Sequence, residues 1–238
     1  MATQPAIHQT QKEHSLYKWA AVLIPIIVLV GFARSYYLKG FFGGAALPGL
    51  LVHLHGIVMT LWVVLFITQV WLIAAHNTRL HKRLGVFGAV LAASLVVVGV
   101  ATAIAAGARN ASQGVAALQF LVVPLFDMLV FAILVGTSLS FRRRFDIHKR
   151  LMLLASISLL TAAVARIPFQ FIATGGPLVF FGLIDLFLLA CITFDTIKHR
   201  RLHRAFLFGA LLIIASQPLR LMLAGTDAWV RFASWLIR

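Results

Sequence analysis

Seven long apolar runs are the feature that most constrains how this chain can fold. They cover approximately residues 17–38, 48–75, 84–107, 116–140, 150–173, 177–197 and 205–224. A helix that crosses the hydrocarbon core of a bilayer needs about 20 mainly apolar residues, and each run is long enough. The fifth and sixth runs are separated only by turn-forming residues at 174–177. The sequence therefore predicts an all-α, polytopic membrane bundle of seven transmembrane helices.

The segments that flank these runs differ in character, and three regions are expected. Residues 1–16 are polar and are predicted to form an N-terminal tail, followed by the seven-helix domain over 17–224. In 225–238, aromatic and aliphatic residues stand beside Arg231 and Arg238. That pattern favours a short amphipathic helix that lies in the membrane interface, because the segment is too short to span.

Charge in this chain is sparse and strongly basic. The sequence has 21 Lys and Arg residues against 6 Asp and Glu, a formal charge of +15, while 61% of its residues are hydrophobic. So little polar sequence cannot form the surface of a nucleic-acid-binding protein. The single cysteine, Cys191, excludes an internal disulfide and a cysteine-based metal site.

Most of the basic residues lie in the loops after the second, fourth and sixth runs. By the positive-inside rule, the N-terminus and these loops are predicted to be cytoplasmic and the C-terminus to lie outside. Anionic lipids at the cytoplasmic face are expected partners, because a basic surface attracts their headgroups.

A short motif recurs at the start of the third, fifth and seventh runs. It reads LHKRL at 80–84, IHKRL at 147–151 and LHRAF at 202–206. Each interval leaves room for one hairpin, so helices 2–3, 4–5 and 6–7 are predicted to be quasi-repeated hairpins to which helix 1 is added. The histidines of the motif are expected at the cytoplasmic interface, with metal ligation or proton transfer as the alternative: His81, His148 and His203.

A zinc site at the last of these motifs is a further alternative. His199 and His203 stand four residues apart, which would place both on one face of a continuous helix. The neighbouring cations disfavour it, because metal binding requires neutral imidazoles. No metal site is therefore predicted.

Two of these segments also carry a resemblance to other proteins. Residues 80–85 read LHKRLG and residues 146–152 read DIHKRLM, with Arg166 further along the second of these helices. In these motifs the chain resembles a broad group of uncharacterised bacterial multi-pass membrane proteins, most closely over residues 50–170. The resemblance implies a bacterial cytoplasmic (inner) membrane protein and assigns no reaction.

Charged residues also occur deep within the apolar runs. Arg166 and Arg220 each follow a cytoplasmic arginine by sixteen positions, roughly 24 Å along a helix that rises 1.5 Å per residue. Asp127 and Asp185 reach a similar depth on helices that run in the opposite direction. A charge near the bilayer centre costs at least about 2.5 to 3.5 kcal/mol. We therefore expect the four side chains to face the bundle interior, with the aspartates pairing with the arginines in either combination.

Further polar residues at similar depth extend this cluster into a candidate ligand-binding site in the outer half of the membrane. Gln170 is expected one turn beyond Arg166, and Gln217 lies one turn before Arg220. The predicted site comprises His55, Asp127, Arg166, Gln170, Asp185, Gln217 and Arg220. The alternative is that the charges are ion pairs that hold helices 4 to 7 in register.

Three functions are compatible with such a site. Arg166 and Arg220 could bind a small anionic or amphipathic ligand in a sensor, carrier or accessory protein. Alternatively, His53 or His55 could hold a quinone or a haem b in a membrane redox component. In the third alternative the chain is a structural or assembly partner of another membrane protein. The sequence carries no phosphate loop, catalytic triad order or thiol motif, so no catalytic residues are predicted.

Overall fold

A computed structural model describes residues 15–238 of the chain. Seven helical segments in this part are long and apolar enough to cross a membrane, and it contains no strand. The prediction of an all-α bundle with seven spans is therefore confirmed, and the chain is an integral, multi-pass membrane protein. Residues 1–14 of the predicted N-terminal tail lie outside the described residues. We number the spans 1 to 7: Ser15–Tyr37, Leu50–Ala74, Thr78–Gln113, Val115–Ser140, Phe145–Val164, Gln170–His199 and Arg204–Ala224.

Span 5 forms the centre of the bundle. It contacts spans 1, 4, 6 and 7, and the side chains of Leu153, Leu154, Ala155 and Ile157 are fully buried. The other spans surround it in the order 1, 2, 3, 4, 7, 6. Spans 2 and 3 pack closely on each other and have at most weak contact with span 5. This arrangement leaves space between spans 2 and 3 and the central helix.

Glycines allow the closest helix contacts in the bundle. A Cβ built on Gly31 of span 1 would lie 2.7 Å from the carbonyl carbon of Ala163 at the end of span 5. On span 7, a Cβ at Gly209 would collide with the side chain of Leu154. Span 7 therefore packs mainly against spans 4 and 5, whereas its contact with span 6 is small. In the predicted hairpins 2–3 and 4–5 the two spans pack closely on each other. In the predicted hairpin 6–7 they have little contact.

The boundary between spans 5 and 6 differs from the sequence prediction. Span 5 ends at Val164, and residues 165–169 form a non-helical connection. The sequence reason is Pro168, because a proline disfavours helical geometry in the residue before it. Gly176 lies inside span 6 as a kink with φ 58° and ψ −148°. The turn predicted at 174–177 is therefore a kink near the start of span 6.

Two other spans contain breaks at the same end of the bundle. Span 1 finishes in a π-helical turn, Ala33–Tyr37, and span 4 is interrupted at Leu121 between Val115–Phe120 and Val122–Ser140. π-Helical turns are rare and occur frequently at functional sites. We call this end, where spans 1, 3, 5 and 7 finish, the distal end. The opposite end, which carries the basic loops, is the basic end.

A short helix, Asp227–Leu236, packs against the distal end. Its Trp229 Nε1 donates a hydrogen bond of 2.9 Å to the carbonyl of Leu118, in the first segment of span 4. Trp229 and Ala233 are buried against Leu121 and Val122. The predicted C-terminal helix is thus present, and it covers the break in span 4.

Candidate ligand cavity

A large cavity in the described part of the chain extends inward from the distal end. Its volume is about 630 Å³, and spans 1 to 5 all contribute to its walls. Apolar side chains such as Ile24, Met59 and Trp62 line its inner part. Cavities of this size hold drug-sized ligands, and such sites typically combine apolar walls with a few placed polar groups.

Of the two candidate histidines on span 2, only His55 lines the cavity. It is half-buried and lies close enough to Arg166 for the two to interact electrostatically. His53 is exposed, and its ring lies 6.4 Å from the ring of Tyr36. Residues two positions apart on a helix face different directions, which accounts for the difference.

Arg166 also lines the cavity, but its partners differ from the sequence prediction. Its Nη1 donates 2.8 Å to the carbonyl of Ala162, and the guanidinium lies 5.1 Å from the ring centre of Phe32. Within residues 15–238 it forms no ion pair with a carboxylate. The expectation that Arg166 pairs with Asp127 or Asp185 is therefore wrong, because the helix ends before Arg166 and leaves its side chain beside span 1.

The other predicted arginine does form the expected kind of ion pair. Arg220 Nη1 lies 2.6 Å from Asp127 Oδ1, and both residues are buried. Its Nε and Nη2 donate to the backbone carbonyl and the hydroxyl of Ser216. The guanidinium also lies 5.8 Å from the ring centre of Phe126 and 5.3 Å from that of Phe181. Asp127 lines the cavity, whereas Arg220 does not, so Arg220 holds this carboxylate from outside the cavity.

The remaining predicted residues lie apart from the cavity. Gln217 donates a hydrogen bond of 2.8 Å to Asp185, which links spans 6 and 7. Gln170 is exposed in the first turn of span 6 and is not one turn beyond Arg166 in a continuous helix. The seven predicted residues thus divide into three that line the cavity and four that do not: His55, Asp127 and Arg166, against Gln170, Asp185, Gln217 and Arg220.

Sequence reasoning missed several polar residues that line the cavity. Arg109, at the end of span 3, lines it and, like Arg166, has no carboxylate partner among the described residues. The π-helical turn of span 1 brings Tyr36 and Tyr37 to the cavity, and the Tyr37 hydroxyl lies 2.8 Å from Thr60 Oγ1. The two tyrosines after Arg34 were the sequence signal for this part of the cavity. The same residues are also typical of an anchor at the membrane interface.

A second buried ion pair lies at the basic end and was also missed. Arg150 Nε and Nη2 donate to the two carboxylate oxygens of Asp195, each at 2.9 Å. His199, one turn further along span 6, also lies close to Asp195, with its Nδ1 3.3 Å from the same carboxylate. Arg150 lies in the second turn of span 5.

The three motif histidines each anchor a helix start, in different ways. The carbonyl of His81 accepts a hydrogen bond of 3.2 Å from Gln69 on span 2. His148 lies against Ser138, whose hydroxyl donates 3.0 Å to the His148 carbonyl. His203 caps span 7, because its Nδ1 accepts from the backbone N–H of Ala205. His81 and His148 thus link neighbouring spans at the basic end, whereas His203 caps its own span.

The alternative of a zinc site at His199 and His203 is not compatible with the backbone. Span 6 ends at His199, and Arg200 follows with a left-handed φ of 56°. The two histidines therefore do not share a helix face. Within residues 15–238, no group of three or more His, Cys, Asp or Glu side chains could hold a metal ion.

Comparisons with protein-family models, with curated proteins and with solved structures gave no match to this chain.

Proposed function

We propose that this membrane protein binds an amphipathic small molecule with an anionic head in the distal cavity. The observation that carries the proposal is that two arginines without carboxylate partners, Arg109 and Arg166, line a largely apolar cavity. A carboxylate or phosphate is the group that such guanidiniums bind best. The apolar tail would then contact Met59, Trp62 and Phe66 in the inner part of the cavity.

The arrangement of charge around the cavity supports an anion rather than a cation. Asp127 is the acidic residue among the lining side chains, and Arg220 already neutralises it. His55 adds a polar group beside Arg166. The net charge of the lining is therefore positive. This makes a sensor, a carrier or an accessory binding protein the function that we favour.

We place the protein in the bacterial cytoplasmic membrane, with the basic end inside and the distal cavity in the outer half of the bilayer. The basic loops, which the positive-inside rule assigns to the cytoplasm, support this orientation. A bacterial source is supported by the motifs in which the chain resembles bacterial multi-pass membrane proteins.

Binding of a labelled long-chain fatty acid, oleate, to purified protein in detergent tests the proposal. Substitution R166Q should weaken binding roughly tenfold or more, because it removes a charge-assisted contact worth about 1.5 to 3 kcal/mol. A cavity-filling substitution, A106F, should also abolish binding, since Ala106 lines the cavity. The control V97F lies on an exposed face of the same span and should bind normally. Equal binding by R166Q, A106F and V97F would contradict the proposal.

A redox role is a second candidate, supported by the pair His55 and Arg166 at one apolar cavity. Both side chains can donate hydrogen bonds to a quinone carbonyl. Absorption spectra of oxidised and dithionite-reduced protein distinguish the alternatives. A quinone that copurifies and is lost in H55A would favour this role. A reduced haem band lost in H55A, but not in H53A, would make haem the ligand instead.

A further inference from the structure

A second cavity, separate from the distal one, lies at the basic end. Its volume is about 590 Å³, and it is bounded by spans 4, 5 and 7 and by the loop between spans 6 and 7. We call it the basic-end pocket. Its lining includes Thr137, Leu151, Arg201, His203, Arg204 and Phe208.

One side of this pocket is cationic. Arg201 and Arg204 are both exposed, and neither pairs with a carboxylate among residues 15–238. His203, between them in sequence, uses Nδ1 as an acceptor in its helix cap. The neutral ring therefore carries its hydrogen on Nε2, which is a further donor. The two carboxylates that act electrostatically on His203 already have other cationic partners, because Asp146 pairs with Lys149 and Arg150, and Asp195 pairs with Arg150.

The other side of the pocket is apolar and lies deeper along the helices. Phe208 follows Arg204 by one turn of span 7, and Leu151 follows Ile147 by one turn of span 5. One turn corresponds to roughly 5 to 6 Å of depth. Phe208 is 66% exposed although it lies within a membrane span. The pocket therefore passes from cations at the end of the bundle to an apolar wall that faces outward.

We propose that the basic-end pocket binds the headgroup phosphate of an anionic phospholipid, with the lipid's acyl chain lying along Phe208. Guanidinium groups match phosphate oxygens in geometry and charge. Basic pockets between transmembrane helices are suited to anionic headgroups. A free phosphate ion would use the arginines equally well, but it would gain nothing from the apolar wall. This site is independent of the distal cavity.

Native mass spectrometry of delipidated protein, titrated with phosphatidylglycerol and with phosphatidylcholine, tests the proposal. The variant R201Q/R204Q should bind phosphatidylglycerol roughly twenty-five-fold more weakly, because each cation near an anionic headgroup strengthens binding about fivefold. Binding of phosphatidylcholine should change little. The matched control R142Q/R143Q removes the same charge at the same end, outside the pocket. It should retain binding of phosphatidylglycerol.

Two further measurements keep the interpretation unambiguous. The variant T137W keeps every charge but fills the pocket, so it should lose phosphatidylglycerol even if R201Q/R204Q does not fold. Inorganic phosphate, added at millimolar concentration, should not displace the lipid. The proposal would be overturned if R201Q/R204Q and R142Q/R143Q bound phosphatidylglycerol equally well. It would also be overturned if T137W retained the lipid, or if inorganic phosphate displaced it.

Discussion

Arg150 and Asp195 form a two-pronged ion pair between the central span 5 and span 6, and each side chain is only 2% exposed. Both oxygens of the carboxylate accept from the guanidinium at 2.9 Å. Arg150 also donates to the carbonyl of Asp146, one turn earlier in its own helix. Span 6 has few other close contacts with the bundle. The pair is therefore a principal attachment of span 6 at the basic end.

Removal of one partner of this pair should be strongly destabilising. D195A would leave the Arg150 guanidinium buried without its carboxylate, at an expected cost of about 3 to 5 kcal/mol in the free energy of unfolding. The apolar double variant R150M/D195L should be clearly more stable than D195A, since it leaves no unpaired charge. Equilibrium unfolding in mixed detergent measures both. A double variant as unstable as D195A would show that the pair supplies more than charge compensation.

Mutation of Arg220 should destabilise the fold much more than mutation of Arg166. Arg220 is buried with Asp127 and Ser216, so R220L should destabilise the fold by about 3 kcal/mol or more. Arg166 has no carboxylate partner in residues 15–238, so R166L should change the unfolding free energy by less than about 1 kcal/mol. The pair of variants thus separates a structural arginine from one available to a ligand. A loss of stability in R166L as large as in R220L would refute this assignment.

The sequence predicted the spans well because each depends only on local length and hydropathy. Depth counting also identified Asp127 and Arg220 correctly, since both lie in continuous helices. It failed for Arg166, because Pro168 ends span 5 and removes the assumption of a regular rise. The cavity itself was beyond sequence reasoning. It depends on spans 2 and 3 being displaced from span 5, which no local pattern specifies.

The contact between spans 1 and 5 should tolerate no side chain at Gly31. In G31A the new Cβ would collide with the backbone of Ala163, which cannot move aside as a flexible side chain can. Overpacking of this kind costs typically about 1 to 3 kcal/mol, and a backbone neighbour places it at the upper end. Thermal unfolding in detergent would measure the loss. The control G136A has no atom near its Cβ and should be neutral or stabilised by up to about 1 kcal/mol.

The cap of span 7 should make stability depend on pH. Burial, and then the charge of Arg150, lower the pKa of His203 below its ordinary value of 6.5. The unfolded chain therefore takes up the proton first, and the contribution of His203 to stability is complete above about pH 6.5 and is lost as the pH falls below it. Protonation of Nδ1 would also remove the acceptor for the Ala205 N–H.

Substitution of His203 tests this linkage directly. H203N should keep a helix cap, because asparagine is a preferred capping residue, and should lose the His203 contribution to the pH dependence. H203A should lose the cap as well, at about 1 kcal/mol at pH 7.5. Melting temperatures between pH 7.5 and 5 measure both effects. If wild type and H203N lose stability equally over this range, another group carries the pH dependence and His203 acts only as a cap.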